Sequence, residues 1–180
     1  LDYKIIEGSI LDRKAVKEAV KGVDYIFHMA AAISVVESME KPVEYVQVNA
    51  EGTLVVLEEA AAAGVKKLCF STSAACYGEN PESPKVETMT ADPLSPYAIT
   101  KLDGEYYCAM FAREGKLNTA CMRYFNVFGP RQDPKSAYAA AIPIFVSRAV
   151  KNDIIAIYGD GEQTRDFVYV RDLTSILIKM

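Results

Sequence analysis

Tyr97, Lys101 and Ser73 are the side chains of this sequence whose types and spacing could carry out chemistry. Ser95 is a favoured helix N-cap and Pro96 a favoured first helical residue, so a helix is predicted to begin here. The i, i+4 spacing then places the Tyr97 phenol and the Lys101 ammonium on one helix face, where the cation is expected to lower the phenol's pKa. Ser73 follows a predicted strand and could bind the same substrate oxygen. The pattern favours a proton-transfer site beside a hydride carrier.

The spacing of Tyr97 and Lys101 also has a purely structural interpretation. In a chain of 180 residues with 11 tyrosines, a Tyr-x-x-x-Lys pair is expected about once by chance. An amphipathic helix whose lysine stem covers apolar surface would explain the pair equally well. The helix cap and the serine-rich strand end upstream favour the catalytic interpretation.

Apolar periodicity predicts strands that alternate with helices along the chain. Helices of this length between strands imply βαβ units, and therefore an α/β fold with a doubly wound parallel sheet. The segment 24–29 has the composition of a strand buried on both faces. The predicted strands are 3–6, 24–29, 67–71, 119–125, 154–158 and 166–170, and the predicted helices are 13–21, 42–63, 96–113, 142–150 and 172–180, the last capped by Asp172.

Composition narrows the class of protein. With 51% hydrophobic residues, 24% charged residues and a net charge of −4, the chain has an ordinary globular composition and no basic field for nucleic acid or an anionic membrane. No apolar run approaches the roughly 20 residues that cross a bilayer. The four cysteines show no C-x-x-C spacing, so we expect buried reduced thiols in a cytoplasmic protein, without disulfides or a metal site. They are Cys69, Cys76, Cys108 and Cys121.

Both ends of the sequence are unusual. Residue 1 is Leu, a predicted strand follows almost at once, and the last predicted helix stops in mid-course at Met180. These features lead us to expect an internal piece, or a natural truncation, of a longer protein.

Seven segments in sequence order resemble an extended short-chain dehydrogenase/reductase of the NAD-dependent epimerase/dehydratase family, and most closely its UDP-glucose/UDP-N-acetylglucosamine 4-epimerase type. The resemblance covers nearly the whole chain and implies a Rossmann-like fold with part of a small substrate-binding domain. It places the partial NAD-binding domain in residues 1–130 and the substrate-binding region in 131–180. The segments are 8–12, 27–31, 49–53, 70–78, 95–101, 123–132 and 159–172.

The resemblance implies NAD as cofactor, yet no Gly-x-x-Gly-x-x-Gly turn for its pyrophosphate occurs in the sequence. The segment Gly159-Asp160-Gly161 precedes a predicted strand instead of a helix, and is therefore interpreted as a plain turn. The first βαβ unit of such a fold is thus expected to be absent, and tight NAD binding by this chain alone is not expected.

Several cofactor contacts nonetheless map onto the chain by resemblance. Ser9 stands where the family has an aspartate at the adenine, which weakens or reroutes that hydrogen bond. The alternative to a cofactor contact is close packing for Met29–Ala31 and a backbone role for Asn49. The single histidine, His28, is interpreted as a core side chain whose hydrogen bonds are satisfied. The implied cofactor-binding residues are Ser9, Ile10, Met29, Ala30, Ala31, Asn49, Ser71, Tyr97, Lys101 and Tyr124.

The substrate side follows from the same resemblance. Asn126 and Arg165 match residues that contact the sugar-nucleotide diphosphate, Phe167 matches part of the uracil wall, and Ser73 matches the serine at the sugar. The alternative for Arg165 is an ion pair with Asp166 or Glu162.

The residues after Ser73 separate reactions within the family. The related dehydratases carry Asp-Glu at these two positions and the decarboxylases carry Glu at the second, whereas this chain has Ala74 and Ala75, which cannot transfer protons. The resemblance therefore implies NAD-dependent epimerisation at C4 of a UDP-sugar through a 4-keto intermediate, with Ser73, Tyr97 and Lys101 as catalytic residues. The alternatives are a nucleotide-sugar reductase or dehydrogenase, or a truncated and inactive domain.

The helices predicted at 42–63 and 96–113 are apolar on more than one face. A helix of a doubly wound domain needs to bury only the face toward the sheet. We therefore expect these helices to pair with those of a second copy in a homodimer, as the resemblance also implies.

Overall fold

The computed structural model describes residues 3–135 and 141–180 of the chain. They form two compact units, Leu1–Arg123 and Tyr124–Met180, which are described separately. The functional division that the resemblance places at residue 130 stays a prediction.

The first unit alternates helices with the strands of one sheet. Strand β1 pairs with β2 in parallel, with Tyr25 opposite Lys67 and His28 opposite Phe70, and β2 lies between β1 and β3. The predicted α/β class with a parallel sheet is confirmed. The elements are α1 (Arg13–Ala19), β1 (Tyr25–His28), α2 (Val35–Glu40), α3 (Pro42–Tyr45), a π-helix (Val46–Glu51), α4 (Gly52–Ala62), β2 (Lys67–Ser73), a 3₁₀-helix (Ala74–Tyr77), α5 (Pro96–Arg113) and β3 (Asn118–Tyr124).

The core of this unit lies around β2. Leu68 and Phe70 of β2 are buried with Leu57 and Ala60 of α4 and with Cys108 of α5. Because five successive residues of β2 are buried, the strand is covered on both faces, as expected for a central strand of an α/β sheet. This burial fixes the carboxyl end of β2, where Ser73 stands.

The outer strand of the sheet departs from the prediction. Residues 3–6 form no strand, and Tyr25 and Phe27 of β1 are exposed although segment 24–29 was predicted to be buried. A strand needs a hydrogen-bonded neighbour, and within the described residues β1 has one only on its β2 side. The strand predicted at 3–6 and the burial predicted on both faces of 24–29 are therefore wrong for the described residues.

The predicted continuous helix 42–63 consists of α3, the π-helix and α4. Pro42 begins α3 because Lys41, in the position before a proline, is held out of the helical region. The preceding helix α2 was missed, although its Ser34 N-cap accepts a hydrogen bond from the Glu37 amide in the ordinary way. Helix α5, by contrast, has the predicted bounds, Pro96–Arg113.

The described residues of the second unit form a two-stranded parallel sheet and two helices. Its elements are β4 (Asn126–Phe128), α6 (Ala141–Val150), β5 (Phe167–Tyr169) and α7 (Val170–Lys179). The strand predicted at 154–158 is wrong: this segment is irregular, and Ile154 is exposed. Helix α7 begins at Val170, so Asp172 lies in its first turn, near the positive end of the helix dipole, and is not its cap. Residues 159–161 form the predicted turn.

The cysteines largely follow the prediction. Cys69, Cys76 and Cys108 are buried free thiols, but Cys121 is exposed, so burial was predicted wrongly for it. Two effects raise the pKa of the Cys108 thiol: the larger is a hydrogen bond with Cys121, and the second is burial. No helix in the described part of the chain is long and apolar enough to cross a membrane.

Candidate active site

Tyr97 is placed by the first turn of α5. The Ser95 hydroxyl accepts a 3.2 Å hydrogen bond from the Ala98 amide, and Pro96 occupies the first turn. This is the predicted cap, and it fixes the rotation of the helix about its axis from the first residue. The Tyr97 side chain lies at the carboxyl end of β2, where hydrogen bonding from the Ser73 hydroxyl acts to lower the pKa of the phenol.

Ser73 is the last residue of β2 and the N-cap of the 3₁₀-helix. Its Oγ accepts a 3.1 Å hydrogen bond from the Ala75 amide. Because this bond occupies a lone pair and not the proton, the hydroxyl can still donate to another group. The structure thus brings Ser73 and Tyr97 together, as the sequence predicted.

Lys101 lies one turn beyond Tyr97 and is 4% exposed. Its Nζ donates a 2.9 Å hydrogen bond to the Ser71 carbonyl oxygen, and it lies 5.1 Å from the Phe70 ring centroid and 6.0 Å from that of Tyr97. Burial lowers the pKa of this ammonium to about 8. The lysine joins α5 to β2 two residues before Ser73.

The pKa of Tyr97 departs from the expectation that Lys101 would lower it. Burial raises the pKa of the phenol, while the hydrogen bond with Ser73 acts in the opposite direction. The ammonium binds a backbone carbonyl and is 6.0 Å from the ring, so in this structure the cost of burying a phenolate is the larger effect. A working phenolate would need further positive charge.

Asn49 organises the backbone around this cluster. It is 2% exposed in the π-helix. Its Oδ1 accepts from the Ala32 amide at 2.8 Å, and its Nδ2 donates to the Ala32 carbonyl and to Thr100 Oγ1 at 3.0 and 3.1 Å. Thr100 Oγ1 donates in turn to the Tyr97 carbonyl. Asn49 therefore has the backbone role that was weighed as the alternative, and its contact with the cofactor stays a prediction.

Other predicted cofactor residues surround the end of β1. A cleft of about 320 Å³ is lined by Ile10, Met29 and Ala30, among others. Ser9 is exposed, and its hydroxyl accepts from the Leu11 amide at 3.2 Å. Of the remaining predicted cofactor residues, Ala31 and Tyr124 are half-buried and Ser71 is buried.

His28 is a satisfied core side chain, as predicted. It is 4% exposed, its Nε2 lies 3.0 Å from Thr53 Oγ1, and its ring is 5.6 Å from that of Phe70. Burial, with a smaller contribution from the charge of Lys101, lowers the pKa of the imidazole to about 4.

The predicted substrate residues lie in the second unit. Asn126 Nδ2 donates to the Asp166 carbonyl at 3.0 Å, in line with the β4–β5 pairing. Arg165 is exposed, and its Nη1 donates to the Thr164 carbonyl. Arg165 and Phe167 line a cavity of about 580 Å³, and two further polar side chains in its wall, Arg148 and Gln163, were not predicted.

The sequence interpretation also missed a charged pair beside the cluster. Glu105 binds Arg123 through two hydrogen bonds, Nε to Oε1 at 2.9 Å and Nη2 to Oε2 at 2.7 Å. The available signal was the spacing of Tyr97, Lys101 and Glu105, which repeats every four residues and places a carboxylate on the helix face that was predicted to be buried.

A parallel α/β sheet with a Ser-Tyr-Lys cluster at a strand end defines a short-chain dehydrogenase/reductase of the extended type. The chain belongs to the NAD dependent epimerase/dehydratase family, whose model matches residues 1–180.

The relatives are named for two different reactions. The chain is 42% identical over 154 residues to a putative UDP-glucose 4-epimerase of Methanocaldococcus jannaschii, covering 85% of this chain and 50% of the relative. It is 37% identical over 179 residues to the UDP-N-acetyl-alpha-D-glucosaminuronate decarboxylase of Bacillus cytotoxicus, covering 97% and 55%. The chain thus spans about half the length of these curated relatives.

A solved structure has the same fold. The UDP-N-acetylglucosamine 4-epimerase of Methanobrevibacter ruminantium M1, in complex with UDP-N-acetylmuramic acid, is 42% identical with a TM-score of 0.92. The match covers 97% of this chain and 56% of that chain. The arrangement of elements described above is therefore that of a known family member.

Proposed function

We propose that the protein is an NAD-dependent epimerase that inverts C4 of a UDP-sugar, with Ser73, Tyr97 and Lys101 at the reacting centre. The observation that carries this proposal is the Lys101–Ser71 hydrogen bond, which holds the helix of Tyr97 against the end of β2 where Ser73 acts on the pKa of the Tyr97 phenol. The epimerases among the relatives support the reaction, both with the plain and with the N-acetylated sugar.

The residues present fit NAD in part. Small side chains at Ala30 and Ala31 leave the backbone open after β1, beside a cleft of about 320 Å³, which suits close approach of a dinucleotide. Tyr97 and Lys101 would hold the nicotinamide ribose. The pyrophosphate has no Gly-x-x-Gly-x-x-Gly turn in this sequence to hold it. When bound, NAD supplies a hydride acceptor and a positively charged ring.

In the proposed mechanism, Tyr97 takes the proton of the C4 hydroxyl and later returns it to the keto oxygen. Ser73 would donate a hydrogen bond to the same oxygen in both half-reactions, by turning its proton from the Tyr97 phenol to the substrate while its Oγ still accepts from the Ala75 amide. Lys101 keeps the end of β2 in place through Ser71. The 4-keto sugar must turn between the two steps so that its opposite face is presented.

The test is the Tyr97→Phe variant of the complete encoded protein, assayed with UDP-glucose and with UDP-N-acetylglucosamine. Removing one acid/base group is expected to lower turnover by roughly 10²–10⁴-fold while leaving the fold intact. The control is Tyr3→Phe, which removes an exposed phenol that has no role in the proposed site. Turnover of Tyr97→Phe within tenfold of wild type would contradict the proposal.

A second candidate reaction is decarboxylation of a UDP-uronic acid, favoured by the decarboxylase relative. Ala75 argues against it, because its methyl group cannot transfer a proton where the family resemblance places a glutamate in decarboxylases. Release of carbon dioxide from UDP-glucuronate by the wild-type protein, with no C4 inversion of UDP-glucose, would favour this reaction instead.

We further propose a homodimer through helices 42–63 and 96–113 in a reducing, cytoplasmic setting. Ile99, Tyr106 and Met110 are exposed and follow one stripe of α5 at i, i+7 and i+11, and Val43 and Val46 are exposed on the neighbouring segment. Light scattering of the complete encoded protein should give twice the mass of one chain, and Met110→Lys should weaken the association. A monomer at high micromolar concentration would contradict the dimer.

A further inference from the structure

Glu105, Arg123 and Thr72 form a polar network beneath the proposed reacting centre, and the mechanism above does not use it. The Glu105 and Arg123 side chains are 16% and 18% exposed. Thr72, which is 3% exposed, donates a 2.7 Å hydrogen bond from Oγ1 to Glu105 Oε1, the oxygen that also accepts from Arg123 Nε. One carboxylate thus binds side chains from β2 and from β3.

The network is in register with the reacting centre. Tyr97, Lys101 and Glu105 follow one stripe of α5 at intervals of four residues. Lys101 binds the Ser71 carbonyl and Glu105 binds the Thr72 hydroxyl. Ser73, the next residue of β2, acts to lower the pKa of the Tyr97 phenol. A slip of α5 along β2 would break both hydrogen bonds together and would move the Tyr97 phenol away from Ser73.

Arg123 extends the network to the residues that follow Ser73. Its guanidinium carbon lies 4.6 Å from the centroid of the Tyr77 ring, at the end of the 3₁₀-helix that Ser73 caps. A planar guanidinium can bind a carboxylate through its edge and an aromatic ring through its face at once. Arg123 therefore connects α5, through Glu105, with the segment that orients the Ser73 hydroxyl.

We infer that Glu105 and Arg123, with Thr72 as their link to β2, are positioning residues that hold the register in which the Tyr97 phenol meets the Ser73 hydroxyl. The inference rests on the proposed function for its consequence in turnover, although the register itself is independent of the reaction. A displacement of about 1 Å at a reacting group costs on the order of 100-fold in rate.

The sharpest test removes the Thr72 hydroxyl, which binds Glu105 and lies 3.6 Å from Cys76 Sγ. Thr72→Val keeps the shape and burial of residue 72 and the Glu105–Arg123 pair, but deletes the hydroxyl that binds Glu105. In the complete encoded protein we expect kcat for the UDP-sugar to fall about tenfold with KM within about threefold of wild type, and Thr72→Ser to restore kcat. Glu105→Gln, which leaves Arg123 without its carboxylate, should lower kcat about 100-fold.

The matched control is Glu58→Gln. Glu58 also forms an ion pair with an arginine, Arg13, at 2.5 Å, but on the exposed side of α4, and this variant should leave both constants unchanged. Wild-type kcat in Thr72→Val and Glu105→Gln would overturn the inference. An equal loss in Thr72→Val and Thr72→Ser would overturn it as well, since it would reveal general sensitivity of the core.

A readout without turnover separates this inference from the proposed function. The pKa of Tyr97 can be followed in the complete encoded protein by ultraviolet difference titration against Tyr97→Phe. Because the Ser73 hydrogen bond lowers this pKa, loss of register in Thr72→Val should raise it, and Thr72→Ser should return it to the wild-type value. An unchanged pKa in Thr72→Val contradicts the inference even if the protein proves inactive. If the wild-type protein shows no turnover but the pKa of Tyr97 is raised in Thr72→Val, only the proposed function is contradicted.

Discussion

The Lys101 ammonium donates a 2.9 Å hydrogen bond to the backbone carbonyl oxygen of Ser71. This bond joins the helix that carries Tyr97 to the strand that carries Ser73, and it lies in a region where Lys101 is almost fully buried. Burial of a charge with a single carbonyl partner is costly, because one neutral acceptor replaces little of the lost hydration. The same residue therefore orders the site and lowers the stability of the fold.

Replacing Lys101 should consequently stabilise the protein at neutral pH. The folded-state pKa of about 8 lies below the ordinary value of 10.5, so the unfolded chain binds the proton more tightly between these values. The penalty is fully present below pH 8, on the order of 3 kcal/mol, and is relieved as the pH rises toward 10.5. Loss of the Ser71 hydrogen bond offsets about 1 kcal/mol.

Urea unfolding of wild type and Lys101→Met at pH 7, 9 and 10 measures this effect. Lys101→Met should be more stable by about 2 kcal/mol at pH 7, and the difference should shrink as the pH rises. Lys14→Met, which removes an exposed lysine, controls for the loss of one positive charge. A difference that is constant from pH 7 to pH 10 would contradict the assigned cause.

His28 should make the fold sensitive to mild acid. Its folded-state pKa of about 4 lies below the ordinary 6.5, so the unfolded chain binds the proton more tightly, and stability is lost as the pH falls from 6.5 toward 4. At pH 5 the loss amounts to about 2 kcal/mol relative to pH 7.5.

The assignment is specific because the chain has a single histidine, the side chain whose ordinary pKa lies in this range. Denaturant unfolding at pH 7.5 and 5 should show the loss in wild type and not in His28→Gln, although this variant starts from a lower stability since it repacks the core. Equal losses in both proteins would mean that another group titrates.

Elements whose bounds are set by residues next to them in the chain could be predicted from the sequence. Helix α5 has its predicted bounds because Ser95, Pro96 and Gly115 act through the backbone next to them. The segments 3–6 and 154–158 were predicted as strands from composition, but strand formation depends on a neighbour that composition does not reveal.

The candidate site likewise has residues that the sequence reveals and properties that depend on the tertiary structure. Ser73, Tyr97 and Lys101 could be found from spacing and resemblance, and the structure brings them together. The raised pKa of Tyr97 could not be predicted from the sequence. It depends on burial of the phenol and on the hydrogen-bond acceptor of Lys101, which only the tertiary structure determines. Glu105 and Arg123 are 18 residues apart in sequence, and their contact follows only from the pairing of β3 with the sheet beneath α5.

Gly104 should resist substitution because α5 lies close to β2 at this point. A Cβ atom at Gly104 would lie 2.5 Å from Cε1 of the Phe70 ring, well inside van der Waals contact. Gly104→Ala gains up to about 1 kcal/mol of helix propensity, but overpacking costs about 1–3 kcal/mol, so a net loss of stability is expected.

Thermal unfolding of the two single variants and the double variant Phe70→Leu/Gly104→Ala tests this contact. The smaller leucine should make room for the new methyl group, so the double variant should lose less than the sum of the two single losses. Strict additivity would mean that the strain lies elsewhere than between α5 and Phe70.

The last prediction concerns the ligands of the 180-residue chain. NAD can contact the Tyr97–Lys101 region, but the Lys101 ammonium already binds the Ser71 carbonyl. Ser9 stands where the family has an aspartate at the adenine, and the sequence has no glycine-rich turn for the pyrophosphate. A UDP group instead finds a cavity of about 580 Å³ lined by Arg148 and Arg165. Two arginines suit a diphosphate because each offers a planar set of donors. We therefore expect UDP to bind more tightly than NAD.

Calorimetric titration of the chain with NAD and with UDP decides the order. NAD should bind no more tightly than about 1 mM, or near 4 kcal/mol, and UDP should bind more tightly by at least about tenfold. Arg165→Met should weaken UDP binding and leave NAD binding unchanged, and Arg131→Met, an exposed arginine outside the cavity lining, is the control for lost charge. Micromolar binding of NAD would show that its site is built from residues other than those assigned to it.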